Sequence, residues 1–481
     1  MLQQLKRLAK HSAVYGLGGI VSRIVAVLLL PLYTAYLKRE DFGAVGVLIA
    51  LSAVLVTVLR GGMSSAFFRF YFDSTDPARR LLVLRTSFWY TMASATLGLA
   101  AGLLLAEPIA QALSLGDQPN LVRAAFVGIW AQMNYEQLTS LFRLEERSLG
   151  FVAVSLVNVA ITIGATVLLV VVYDKGALGV IVGNFTGTLA VYLALLGYRR
   201  EQLGLQFDRR LRREMSRFGL PLVPSALALI AVGFSDRFFL AHLSGLEEVG
   251  VYEIGVRIAS AMVLLVTAFR MAWPAFAYSF EDDDEARRTY GSVLTYFSLL
   301  TCWVALALTL LSPWLVRLLT SGAAFDPGSR VVGPLAFAAA AFGAYLVVSI
   351  GVGRARRTGA NWIVSGIAAV LNIALNLILI PPFGMMGAAV ATLSSYVALF
   401  LGMAWRAQRV YAVPYEWRRV ATVAAGAVGL AAVGKVLHAP LVAAVALVAA
   451  YPLVLLLLGF YSPAERARIL SGFARANRPS V

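Results

Sequence analysis

The chain has 481 residues, of which 60% are hydrophobic and 14% are charged, and its formal net charge is +16 at pH 7. This composition excludes an ordinary soluble protein, because a soluble chain of this length needs far more polar residues to cover its surface. Apolar runs recur throughout, most of them close to the roughly 20 residues that a helix needs to cross a bilayer. We therefore predict an all-α, polytopic membrane protein with fourteen spans. In chain order they are 12–37, 43–68, 82–106, 121–142, 150–173, 177–198, 218–241, 250–272, 290–311, 331–350, 361–380, 385–405, 420–437 and 441–460.

The basic residues between these spans are distributed unequally between the two sides of the membrane. With both termini inside, 27 Lys and Arg residues fall in cytoplasmic segments and 7 in external segments. Cytoplasmic loops of membrane proteins carry such an excess of positive charge, so we predict cytoplasmic termini. The arginine-rich stretch YRREQLGLQFDRRLRREMSR then anchors a cytoplasmic loop, and we expect no nucleic-acid partner.

Two pairs of segments repeat at an offset of 208 residues. SSAFFRFYFDSTDPARR (Ser64–Arg80) aligns with AWPAFAYSFEDDDEARR (Ala272–Arg288), and GALG from Gly176 aligns with GMMG from Gly384. One period holds six predicted helices, and because six is even, both units enter the membrane in the same orientation. Repeats of this type are related by an axis along the membrane normal.

The repeat predicts the domain organisation. We expect a first lobe of six helices at 1–208, a second lobe of six helices at 209–416, and helices thirteen and fourteen with a cytoplasmic tail at 417–481. In transporters built this way, the substrate binds between the lobes near the midplane, and access alternates as the lobes rock.

Three stretches of the chain resemble one known family. They are SRIVAVLLLPLYTAYLKREDFG, SDRFFLAHLSGLEEVGVYEIGVRI and LNIALNLILIPPFGMMGAAVATLSSY. They resemble Wzx-type polysaccharide (O-antigen) flippases of the polysaccharide transporter family, in the multidrug/oligosaccharidyl-lipid/polysaccharide (MOP) superfamily. The likeness extends over essentially the whole chain.

The resemblance implies a cargo and a place in the cell. The expected cargo is an undecaprenyl-pyrophosphate-linked oligosaccharide, moved across the bacterial cytoplasmic (inner) membrane for O-antigen, capsule or exopolysaccharide synthesis. The expected partners are membrane lipids and, beyond them, a polysaccharide polymerase and its chain-length machinery. The sequence contains no nucleotide-binding loop, metal-ligand cluster or nucleophile constellation, so we expect no cofactor, no metal and no enzymatic activity.

Arginines in the spans are the candidate ligands for the diphosphate of such a cargo. The guanidinium group stays charged and donates hydrogen bonds in pairs, which suits phosphate. Arg23, Arg60 and Arg270 are the strongest candidates, because we expect no acidic residue near them. We favour Arg60 over Arg69, since the two point to opposite faces of a regular helix and Arg69 lies nearer the headgroups.

The remaining candidates involve acidic residues. Arg257 follows Glu253 by one helical turn, which could neutralise it. In WAQMNYEQLTSLF, Tyr135 and Glu136 belong to the most polar mid-membrane patch, suited to sugar hydroxyls or to a coupling ion.

Asp236 and Arg237 lie near the outer end of the seventh span. Adjacent helical residues point about 100° apart, so we expect each to pair with another helix rather than with its neighbour. Two interpretations stay open. The pair is either an interhelical lock or a protonation or cation site coupled to transport.

Two other classes of function remain open at this stage. An ion-coupled drug exporter of the same superfamily would rely on acidic and aromatic residues more than on arginines. A membrane polysaccharide polymerase or ligase should have a large external loop or a catalytic cluster of acids and histidines. The three histidines, at positions 11, 242 and 438, are scattered along the chain.

Overall fold

The computed structural model describes residues 29–463 and 465–466, and within them the chain is helical without a β-strand. The all-α prediction is therefore confirmed. The helices are α1 (Leu30–Tyr36), α2 (Arg39–Arg60), α3 (Met63–Phe72), α4 (Pro77–Leu104), α5 (Ala106–Ala112), α6 (Pro119–Leu144), α7 (Ser148–Val167), α8 (Gly176–Tyr198), α9 (Arg200–Leu203), α10 (Arg209–Gly219), α11 (Val223–Leu243), α12 (Leu246–Ala277), α13 (Asp283–Leu319), α14 (Ser329–Arg354), α15 (Asn361–Val410), α16 (Trp417–Val436) and α17 (Leu441–Leu457).

The helices coincide with the predicted spans. Most of the first span, 12–37, lies outside the described residues, and every other predicted span falls on helical residues, in some cases divided between two helices. Two spans share α15, which is interrupted at Gly384 by a non-helical backbone conformation (φ +53°, ψ −133°). In the described part of the chain, nine helices are long and apolar enough to cross a membrane, and the bent pair α4 and α5 makes a tenth. The chain is a polytopic membrane protein.

The direction in which the helices cross the membrane is open to a direct test. Cysteine placed at Lys175, before α8, should react with a membrane-impermeant reagent added outside, whereas cysteine at Arg210, in α10, should not. The opposite locations follow from the unequal distribution of basic residues. The single native cysteine, Cys302, is buried, so background labelling should be low. External labelling at position 210 would contradict the topology.

The second predicted span is not one regular helix. It breaks at Gly61 and Gly62, whose φ angles are +52° and +75°, a conformation that glycine adopts without a steric penalty. A Cβ atom on Gly62 would lie 2.1 Å from the backbone oxygen of Gly219, so only glycine fits this close approach. Arg60 and Arg69 therefore lie on separate helices, α2 and α3. The prediction that placed them on opposite faces of one helix is wrong.

The first turns of α2 and α12 meet backbone to backbone. A Cβ atom on Gly43 would lie 2.0 Å from the oxygen of Leu246, and one on Gly250 would lie 1.9 Å from the oxygen of Arg39. The two contacts are reciprocal, because a shift of 207 residues converts Arg39 into Leu246 and Gly43 into Gly250. We call this pair of contacts the glycine seam.

A second pair of contacts is matched in the same way, with carboxylates 207 residues apart and amide donors 208 residues apart. Asp41 Oδ1 accepts a hydrogen bond from the backbone N–H of Ala177 at 3.0 Å, and Glu248 Oε1 accepts one from Met385 at 2.7 Å. Each carboxylate ties the first turn of α2 or α12 to the glycine turn of its own half of the sequence. These matched contacts are what a repeated unit produces, and the lobe boundaries at 208 and 416 stay a prediction.

Compact packing divides the chain into two units. The first contains the described residues up to Arg257, with Val316–Val331 and Gly359–Ser395; the second contains Ile258–Leu315, Val332–Thr358 and the described residues from Tyr396 onwards. A core in the first unit joins α3, α4, α6, α8 and α10 around Phe67, Phe88 and Tyr192. A core in the second unit joins α13, α16 and α17 around Leu306 and Tyr451.

Candidate functional site

Arg60 is the last residue of α2, and its position follows from the glycine break. The N–H of Gly61 bonds back to Thr57 and Val58 and ends the helix there. A cation at this position is stabilised by the partial negative charge of a helix C-terminus. The break therefore places a guanidinium group at the end of α2, where the flank of α6 lies beside it.

Arg60 forms an ion pair with α6. Its Nη2 atom lies 2.7 Å from Glu136 Oε2 and 3.5 Å from the backbone oxygen of Met133. The other carboxylate oxygen, Glu136 Oε1, accepts a hydrogen bond from Gln132 Nε2 at 2.9 Å. The expectation that no acidic residue lies near Arg60 is wrong, because α2 and α6 pack together at this level.

The ion pair is open on the side of the acid. The side chain of Arg60 is 17% exposed and that of Glu136 is 38% exposed. Glu136 lies eight residues before the end of α6 at Leu144, which corresponds to a depth of about 12 Å along the helix. The pair is thus a polar site inside a predicted span, and packing does not close it on the side of the acid.

The neighbours of Glu136 in the sequence have other roles. Tyr135 packs against the hydrophobic core of the first unit. Gln137 Nε2 donates to Ser87 Oγ on α4 at 2.9 Å, and Trp130 Nε1 donates to Thr96 Oγ1 at 3.1 Å. These polar groups join α6 to α4. Of the patch predicted from the sequence, Gln132 and Glu136 are the residues that accompany Arg60.

Asp236 and Arg237 belong to a buried charge cluster. Arg237 Nη1 lies 2.6 Å from Asp236 Oδ1, and it also donates to the oxygen of Gly233 at 2.8 Å. The expectation that the two residues do not pair with each other is wrong. The arginine side chain is long enough to turn back along α11, which overcomes the 100° between neighbouring positions.

The same cluster joins α11 to α12. Arg237 Nε lies 2.8 Å from Glu253 Oε1, and the hydroxyl of Tyr252 donates to Asp236 Oδ2 at 2.5 Å. All four residues are buried, Asp236 to 1% exposure. A Cβ atom on Gly46 of α2 would lie 2.7 Å from Glu253 Cγ, so a third helix covers the cluster. The geometry is that of a link between helices.

The other arginines of the spans fall into distinct environments. Arg257 is half-buried with its guanidinium carbon 5.2 Å from the ring centre of Phe42. Arg85 donates to the oxygen of Gln202 at 2.9 Å and holds the segment between α8 and α10. Arg270 is exposed, and no described residue forms an ion pair or hydrogen bond with it. Arg23 lies outside the described residues.

In the described part of the chain, no cluster of His, Cys, Asp and Glu could hold a metal ion.

Comparison with known proteins places these features in context. Residues 35–324 match the family model described as polysaccharide biosynthesis protein. A curated relative from Haemophilus influenzae, Lsg locus putative protein 1, is 23% identical over 285 residues. That match covers 56% of this chain and 65% of the relative, so the chain spans slightly less than two-thirds of the relative's length.

Solved structures share the fold at low sequence identity. The inward closed conformation of the lipid II flippase MurJ has a TM-score of 0.74 and 12% identity, over 92% of this chain and 98% of that one. The inward-facing conformation of a multidrug resistance MATE family transporter of the MOP superfamily has a TM-score of 0.68 and 14% identity, over 83% and 95%. The fold is therefore that of MOP transporters.

Proposed function

The chain belongs to the polysaccharide biosynthesis protein family, and from this premise we propose that it is a flippase for lipid-linked oligosaccharides. The cargo is an undecaprenyl-pyrophosphate-linked oligosaccharide, moved by alternating access from the inner to the outer leaflet of the bacterial cytoplasmic membrane. The termini are cytoplasmic, and the product passes to the polymerase and chain-length machinery of surface polysaccharides. One observation supports this proposal most. It is the position of Arg60 inside a span, in an ion pair with Glu136 that is partly exposed on the side of the acid.

The charge of the cargo explains the use of arginine. A charged side chain within the membrane is costly, so it is retained where it meets a partner or a substrate. A lipid diphosphate carries about two negative charges, and moving each across the full field gains about 2.3 kcal/mol per 100 mV of inside-negative potential. The membrane potential then favours export of the diphosphate without a separate coupling ion.

The proposed roles of the candidate residues follow from their surroundings. Arg60, Arg270 and Arg23 are the diphosphate donors, and Arg257 and Tyr135 are secondary candidates for contact with the cargo. Asp236 and Arg237 act as the interhelical lock, because on α12 Glu253 binds Arg237 and Tyr252 binds Asp236.

A drug exporter is the second candidate, since a multidrug transporter has the same fold. Exporters of cationic drugs need an acid that is not already neutralised. Here Glu136 is paired with Arg60, which favours an anionic cargo. If deletion of the gene for this protein lowered the tolerance of the cells to drugs and left the amount of surface polysaccharide unchanged, the exporter would be supported.

Replacing the donors tests the function in a strain that requires the polymer. We expect Arg60→Ala and Arg270→Ala each to lower polymer formation at least about tenfold, the effect of losing one charge-assisted hydrogen bond, and Arg23→Ala to do the same. Lysine at each position keeps the charge but cannot donate two parallel hydrogen bonds. Normal polymer in a lysine variant would therefore indicate a point-charge role, and loss of polymer would indicate a bidentate role. Polymer would be measured on blots and normalised to the amount of protein in the membrane.

Arg317→Ala serves as the matched control, because Arg317 is exposed and its ion pair with Asp326, at 3.8 Å, is a weak surface contact. We expect it to leave polymer formation unchanged. Normal polymer in all three alanine variants, with normal protein levels, would refute the assignment of the diphosphate donors.

A further inference from the structure

Arg60 already has an anionic partner, the carboxylate of Glu136. Its two oxygens are held separately, Oε2 by Arg60 at 2.7 Å and Oε1 by Gln132 at 2.9 Å. A carboxylate held in this way presents the same anionic oxygens to the guanidinium group as a phosphate does. Because Glu136 is more exposed than Arg60, the carboxylate forms the accessible side of the pair.

We propose that Glu136 is an internal counter-ion, which binds Arg60 when the site is empty and which the cargo diphosphate displaces. The proposal rests on the function proposed above. In the empty protein the pair leaves no uncompensated charge inside the span. On loading, phosphate takes the guanidinium group, and the carboxylate turns to the exposed side of the pair.

The exchange is feasible because neither partner is deeply buried. Glu136 retains 38% exposure, so its carboxylate can turn away from Arg60 without displacing packed neighbours. By contrast, Glu253 is 7% exposed and is bound to a buried arginine, so it could not separate without a large penalty. Of these two acid–arginine pairs, the one on α6 is thus suited to exchange, and the one on α12 is suited to a fixed link.

The counter-ion also explains how the cargo can leave again. A transporter must bind its substrate well enough to load it and weakly enough to release it. A carboxylate that competes for the same guanidinium group lowers the affinity for diphosphate and speeds its release. Glu136 is therefore a positioning residue, which sets the balance between loading and release through Arg60.

Glu136→Gln is the informative substitution. Glutamine has the same shape and its carbonyl oxygen still accepts from Gln132, but its negative charge is gone. The purified full-length protein would be titrated with farnesyl diphosphate, a short polyprenyl diphosphate, and with farnesol as the uncharged control. We expect the variant to bind farnesyl diphosphate at least about tenfold more tightly than the wild type, from the loss of a like charge a few ångströms from the phosphate. Binding of farnesol should not change.

The same variant should form polymer more slowly, because release is delayed. Tighter binding with slower transport is a combination that a purely structural role does not produce. Glu107→Gln is the matched control, since Glu107 is 73% exposed and 3.6 Å from Arg123, and it should change neither quantity. In the double variant with Arg60→Ala, the gain in affinity should disappear.

The outcomes separate this inference from the proposed function. If Glu136→Gln binds farnesyl diphosphate no more tightly than the wild type while Arg60→Ala loses binding, the counter-ion is refuted and Arg60 remains a donor. If Arg60→Ala binds as the wild type does, both the counter-ion and the role of Arg60 fail. Should glutamine at 136 lower the yield of protein, Glu136→Asp weakens the pair while keeping the charge, and an unchanged affinity there would also count against the counter-ion.

Discussion

Replacing Arg237 by alanine should destabilise the protein by about 3–5 kcal/mol, the usual effect of removing one partner from a buried ion pair. The substitution leaves Asp236 and Glu253 without their shared cation, at 1% and 7% exposure. It also removes the link between α11 and α12. The expected result is a marked drop in the melting temperature of the purified protein, together with low levels in the membrane.

Two comparisons make this result specific. Arg317→Ala breaks an exposed ion pair with Asp326 and should cost less than about 1 kcal/mol. The triple variant Asp236→Asn, Arg237→Met, Glu253→Gln removes all three charges and should regain most of the stability, because buried pairs are often no better than neutral groups of similar size. A melting temperature unchanged in Arg237→Ala would mean that another cation compensates the two acids, and the cluster would not be a lock.

Valine at Gly43 or at Gly250 should disrupt the contact between α2 and α12. A Cβ atom at either position meets a backbone oxygen at 2.0 or 1.9 Å, and a backbone oxygen cannot change rotamer to make room. The helices must separate, so the cost should exceed the 1–3 kcal/mol that is typical of overpacked side chains. We expect a loss of thermal stability that is similar for the two variants, because the contacts are reciprocal.

Alanine at Gly164 and at Gly197 provides the control for the glycine variants. Both lie in helices, α7 and α8, and a Cβ atom on either would meet nothing within 4 Å. Replacing such glycines by alanine favours the helix by up to about 1 kcal/mol, so stability should be kept or raised. If Gly43→Val and Gly250→Val melted like these controls, the close approach of α2 and α12 would be refuted.

The helices could be predicted from the sequence because hydropathy alone determines which segments cross a membrane. The predicted spans that lie in the described residues fall on helical residues, although the second is divided between two helices. The break at Gly61 and Gly62 was missed, although two adjacent glycines are a recognised turn signal. The long apolar run around them outweighed that signal, and the resulting error placed Arg60 and Arg69 on one helix.

The partners of the charged residues could not be predicted with the same success. Pairing of Arg60 with Glu136 depends on which face of α6 meets the end of α2, and helical periodicity does not contain that information. The contact between Asp236 and Arg237 depends on how a long side chain folds back over its own helix. In both cases the sequence specifies the position of a residue along its helix, but it does not specify the distance between two side chains.

The reciprocity of the glycine seam has a consequence for how the two halves can differ. Arg39 meets Gly250, and their equivalents in the other half, Leu246 and Gly43, meet each other. A reciprocal contact of this kind has the geometry of a symmetric dimer interface. In a dimer of identical subunits, every substitution appears on both sides at once. In one continuous chain each side changes alone, as Asp41 and Glu248 illustrate by accepting equivalent backbone N–H groups with different carboxylates. The positions 208 residues beyond Arg60 and Glu136 are Ala268 and Ala344, so the ion pair exists in a single copy. The matched contacts thus surround an ion pair that the repeat does not duplicate, so the anion site proposed at Arg60 has no equivalent pair at the positions 208 residues further on.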